Sequence, residues 1–170
     1  MAVYINLAVD CGDDAGVAEE LRRVFSKLEL QSSTLGSVSC DVEHIKPNRH
    51  WCQPDKFSDD AGDWHTLCVS PRGLGNGPSP ALLNELRPQL YEPLKHGLKF
   101  RSAWFGWEAQ DAVGESDWLL KLEQMNQTGE LPSMPGLILN ENIVLNSDLK
   151  SKLKPFSDGF LWDDPATQSA

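Results

Sequence analysis

The spacing of hydrophobic residues changes along this chain in a fixed order: alternating, helical, alternating twice, helical, alternating. That order constrains the fold more than any single residue. Val3, Ile5, Leu7 and Val9 alternate with Tyr4, Asn6 and Ala8, the pattern of a strand with one covered face. Asp10-Cys11-Gly12-Asp13-Asp14 follows, where Asp13 or Asp14 is placed to cap a helix whose stripe is Val17, Leu21, Val24, Phe25 and Leu28. Residues 37–45 alternate again, with Val38, Cys40, Val42 and His44 on one face, and residues 64–70 form a third strand. The intervening stretch, 46–63, is rich in Pro, Asn, Asp and Gly and long for a hairpin loop. Ser79 before Pro80 starts a second helix. Its Leu82, Leu83, Leu86, Leu90 and Leu94 keep the apolar stripe, while Pro88 and Pro93 are expected to break or kink it. In residues 98–108, Phe100, Trp104, Phe105 and Trp107 fall on both sides of a strand, which predicts cover on each.

Strand, helix, strand, strand, helix, strand is the split βαββαβ order of an α+β, ferredoxin-like sheet. Two right-handed crossovers then place strand one between strands three and four, with both helices on one face over Val3, Ile5, Leu7 and Val9. A C-terminal helix and strand extension follows. Ser116 caps a helix buried through Trp118, Leu119, Leu122 and Met125 and ended by Gly129, and residues 136–140 form a short fifth strand. Asn146 or Ser147 caps a last helical turn, and Phe156, Phe160 and Trp162 dock on the domain. A chain of 170 residues suffices for one core, so residues 1–165 are read as one domain and 166–170 as a frayed tail.

Net charge of −10 makes phosphate backbones and anionic lipid poor partners, so neither nucleic acid nor membrane binding is expected. The βαββαβ order invites comparison with RNA-recognition domains, but the third strand lacks their Gly-aromatic pattern. No apolar run approaches the length of a membrane span and no basic leader opens the chain, so a cytoplasmic protein is expected. In that setting the four cysteines, with no Cys-x-x-Cys pair, are read as thiols.

In the split topology the loop after strand one and the loop joining strands two and three share one end of the sheet. That end collects Asp10, Cys11, Asp13, Asp14, His44, His50, Cys52, Asp59, Asp60, Asp63 and His65. Cys11 sits at a strand-to-helix turn that favours a thiolate, and His44, His50 or His65 is a candidate base. The catalytic reading is therefore a small hydrolase or transferase using Cys11, His50 and His65. Asp10, Asp13 and Asp14 oppose it by raising the thiol pKa. No metal site and no cofactor are expected, because the Cys and His spacing lacks the tight ligand pairs of zinc and the acidic loops lack the order of a calcium loop. Gly73, Gly75 and Gly77 alternate as in a phosphate loop but without its lysine.

The segment Trp104-Phe105-Gly106-Trp107-Glu108 points elsewhere. An aromatic residue near a strand end, rimmed by carboxylates, is the composition of a protein-binding hot spot. The principal expectation is thus an acidic protein-binding domain, an inhibitor or antitoxin-like immunity protein that neutralises a basic partner, with Asp59, Asp60, Asp63, Trp107, Glu108 and Asp111 as its contact residues.

Overall fold

A computed structural model describes residues 5–45, 65–74, 78–109 and 116–165. In chain order the elements are β1 (Ile5–Asp10), α1 (Ala15–Phe25), β2 (Glu29–Ser32), β3 (Gly36–Ile45), β4 (Thr66–Pro71), α2 (Pro80–Tyr91), β5 (Ser102–Trp107), α3 (Ser116–Thr128), β6 (Ile138–Asn140), α4 (Ser147–Lys152), β7 (Lys154–Ser157) and β8 (Phe160–Trp162). The fold is α+β: the described residues form one sheet of eight antiparallel strands in the order β2-β3-β4-β1-β5-β6-β8-β7.

Strand β1 lies between β4 and β5, with Leu7 opposite Val69 on one side and Phe105 on the other. All six of its residues are buried. Ile5, Leu7 and Val9 meet Ala18, Leu21 and Phe25 of α1 and Leu86, Leu90 and Tyr91 of α2. Ala8 points the other way, into a second cluster with Trp118, Leu122 and Met125 of α3, Leu139 of β6 and Leu149 of α4. The two main helices, α1 and α2, do share one face over Ile5, Leu7 and Val9, as expected; the correction is that α3 and α4 of the C-terminal extension cover the other face, so the sheet is covered on both sides. Asn6 and Asp10 made the second face of β1 look solvent-exposed, yet both are buried. Polar side chains survive such burial when the protein itself supplies their hydrogen bonds.

Capping follows local chemistry. The Asp14 carboxylate accepts the N–H groups of Gly16 and Val17 at 2.9 and 3.1 Å, Ser79 caps α2 and Asn146 caps α4. Helix α2 runs through Pro88 to Tyr91 instead of breaking there, and a 3₁₀ turn, Glu92–Lys95, follows. Pro88 stands on the exposed side, while Leu86, Leu90 and Tyr91 anchor the same turns in the core. Three strands in two hairpins escaped the periodicity reading. Strand β2 has only four residues and pairs with β3 across a turn closed by Gly36 at φ 73°, and β7 and β8 meet across Gly159 at φ 76°.

Tyr91 ties the sheet to the loop before β6. Strand β6 pairs with β5 only at Ser102 and Ala103, so the N–H of Phe105 has no strand partner on that side. The Tyr91 hydroxyl accepts that N–H at 3.1 Å and donates to the Gly136 carbonyl at 2.8 Å. Burial pushes the phenol pKa up, so the donor is retained at any ordinary pH. A Tyr91→Phe substitution leaves two backbone groups unpaired inside the protein and is expected to lower stability by about 2 kcal/mol in urea unfolding, whereas a loss below about 0.5 kcal/mol would refute this role.

Candidate functional site

At one end of the sheet Asp10 pairs with Thr66 across β4 and with Ser102 across β5. Its carboxylate is fully buried. Oδ1 accepts the Gly12 N–H at 2.9 Å, and Oδ2 accepts from Arg101 Nε and Nη2 at 3.1 and 3.0 Å and from Ser102 Oγ at 3.4 Å. Trp118 Nε1 then donates to Ser102 Oγ at 2.9 Å, which extends the network from β1 to α3. Burial raises the Asp10 pKa, and the opposing charge and hydrogen bonds of Arg101 do not cancel the effect. Gly12 adopts φ 66°, and a Cβ there would stand 3.1 Å from Arg101 Cδ. A side chain at this position would press on the guanidinium that neutralises Asp10. With both oxygens engaged by the chain itself, this carboxylate is a clasp between elements.

Cys11 is only 3% exposed, and its Sγ donates to the Val9 carbonyl at 3.7 Å. Burial, with the charges of Asp10 and Asp14, pushes the thiol up to about 12. A protonated, enclosed thiol is a poor nucleophile. This counts against Cys11 as a catalytic residue, and the carboxylates anticipated in its surroundings are part of the reason. His65 lies beside it through the backbone: its N–H donates to the Gly12 carbonyl at 2.7 Å, and its carbonyl accepts the Cys11 N–H at 2.9 Å. The His65 ring is buried, with Nδ1 2.9 Å from Nε2 of His44. One of these nitrogens carries the shared proton and the other accepts it. His50, Cys52, Asp59, Asp60, Asp63 and Asp111 lie outside the described residues. Among the described residues no group of three or more His, Cys, Asp or Glu side chains is arranged to hold a metal ion.

Trp107 and Glu108 occupy the opposite end, since Trp107 pairs with Ile5, the first residue of β1, while Ser102 pairs with Asp10, its last. Five residue steps along a strand separate the two sites by roughly 17 Å. Trp107 is 43% exposed, and Glu108 follows it at φ 48°, the one described non-glycine residue with positive φ. The segment carrying Asp59, Asp60 and Asp63 connects Ile45 to the strand that begins at Thr66, and these two residues pair at the Asp10 end. The structure therefore does not join Trp107 to the points where that segment leaves and re-enters the sheet.

Several exposed or clasping residues fall outside the sequence expectations. Asp41 and Glu43 are exposed with Ser37 and Ser39 on the open side of β3, where Arg72 forms an ion pair with Asp41. Leu120 and Leu145 are exposed on α3 and just before α4, and Leu145 borders an open depression of about 740 Å³ with Glu123, Gln127 and Asp148. Strand alternation places Asp41 and Glu43 on the face opposite Val38 and Cys40. Arg101, Ser102 and Trp118 join Asp10 only through tertiary pairing. Comparison with family models, with curated proteins and with solved structures returns no match for this chain.

Two outcomes follow from these environments. Iodoacetamide applied to the native protein at pH 8, followed by peptide mass mapping, is expected to leave Cys11 unmodified and to label it once urea unfolds the chain. Rapid native labelling would overturn the buried, protonated assignment. Asp10 is tested through proton linkage. Its folded pKa lies above the ordinary 3.8, so the stability it contributes is complete below that pH and is lost as pH rises through the folded value. The stability of wild type relative to Asp10→Asn is therefore expected to fall from pH 4 towards neutrality in urea titrations.

Proposed function

We propose that this chain is an acidic, cytosolic protein-binding domain that captures a basic protein partner, as an inhibitor or immunity protein does, and that its β3-β4-β1-β5 strands form a ferredoxin-like core. Trp107 carries the reading. The residue is 43% exposed at a sheet end, and the next one, Glu108, holds a backbone conformation that costs about 1–3 kcal/mol outside glycine. Strained backbone beside an exposed aromatic residue is the arrangement of a preformed anchor, since a ring fixed before contact loses little entropy on binding. The charge of −10 and the exposed carboxylate of Glu43 favour a basic partner and would speed its encounter. A thiol held near 12 supplies little support for the alternative, a Cys11-based hydrolase or transferase.

Affinity purification from the cells of origin, with wild type and Trp107→Ala as parallel baits, tests the proposal. Wild type is expected to retain one basic protein at low salt, with association slowing as salt rises. Trp107→Ala is expected to speed dissociation about thirtyfold, the equivalent of about 2 kcal/mol. Absence of any retained partner, together with turnover of a small ester or amide that Cys11→Ser abolishes, would replace this reading with the enzymatic one.

A further inference from the structure

The two outer strands of the sheet, β2 and β7, present the backbone groups that a foreign strand could pair with. Strand β7 is blunted by its own sequence: Lys154 begins it and Pro155, which has no N–H, follows before an irregularity in pairing. Strand β2, Glu-Leu-Gln-Ser, has neither device. Its outer edge is closed from α2. The Gln31 N–H donates to Gln89 Oε1 at 2.7 Å, and Gln89 Nε2 donates back to the Gln31 carbonyl at 2.8 Å. One helical turn earlier Glu85 Oε1 accepts the Ser33 N–H at 2.6 Å, and its Oε2 accepts the hydroxyls of Ser33 and Ser32 at 3.2 and 3.3 Å. Exchange of both an N–H and a carbonyl bond with one residue is what an opposing residue does in an antiparallel ladder. The Gln89 side-chain amide reproduces that pairing.

We propose that Gln89 and Glu85 form a plug over a latent strand-docking edge, and that the occupant the plug excludes is β2 of a second copy of this chain. The edge is self-complementary about Gln31, whose N–H and carbonyl both point outward. A two-fold axis at that residue would set Gln31 against Gln31 and Glu29 against Ser33, so no like charges face each other. The sheet would then continue through two copies as one ladder of sixteen strands, twice the eight present in each. This inference is independent of the Trp107 anchor, which lies on β5.

Sedimentation velocity and site-resolved amide hydrogen exchange test it. Wild type is expected to sediment as an 18.9 kDa monomer with a protected Gln31 amide at all concentrations. In Gln89→Ala, and equally in Gln89→Met, which keeps the aliphatic stem but no amide, dilute protein should exchange Gln31 at least tenfold faster. Concentrated protein should form dimers in which that protection returns. Adding Gln31→Pro to either variant removes the outward N–H and should restore the monomer. A Gln89 variant that stays monomeric at millimolar concentration, a dimer that survives Gln31→Pro, or a wild type already dimeric through β2 would each overturn the proposal.

Discussion

Strand β1 is buried on both faces, and the remaining elements are arranged around that constraint. A strand so placed needs an apolar layer above and below and a partner on each side. Ile5, Leu7 and Val9 draw α1 and α2 onto one face, Ala8 lies under α3 and α4 on the other, and β4 and β5 complete its hydrogen bonds. The cost falls on Asp10, a carboxylate taken entirely out of water. Arg101, Ser102 and the Gly12 N–H offset that cost, and Trp118 connects the arrangement to the second layer.

This clasp also shapes the chemistry near it. The desolvation that raises the Asp10 pKa also encloses Cys11, and the negative charge of Asp10 adds to the rise of the thiol. A turn whose sequence resembles a reactive-cysteine site thus becomes a structural junction. Among the described residues the large exposed apolar side chains lie elsewhere, at Val24 on α1, Leu35 before β3, Trp107 on β5, Leu120 on α3 and Leu145 before α4. For the capture of another protein, such residues offer area that a buried thiol does not.

Much of the local architecture could be read from residue types. The caps at Asp14, Ser79 and Asn146 stand where short polar side chains precede helical stripes, and Trp118, Leu122 and Met125 form the buried face of α3. Strands β2, β7 and β8 were not legible, because three or four residues carry too little alternation and depend on a partner for their definition. At Pro88 a local rule lost to packing: core contacts on both sides outweighed one missing hydrogen bond.

By itself, the sequence determined the longer strands β1, β3, β4 and β5, where the main helices start, and that the chain carries an excess of negative charge, since all of these depend on composition or on neighbours a few residues apart. Tertiary structure alone decided that the sheet has eight strands with helices on both faces, that Asp10 meets Arg101, and that Trp107 stands at the end opposite Cys11 and His65. It also decided that Gln89 closes the edge of β2. Each of these pairs residues distant in the chain, and the free energy that selects the pairing comes from burial and hydrogen bonding that exist only once the sheet has formed.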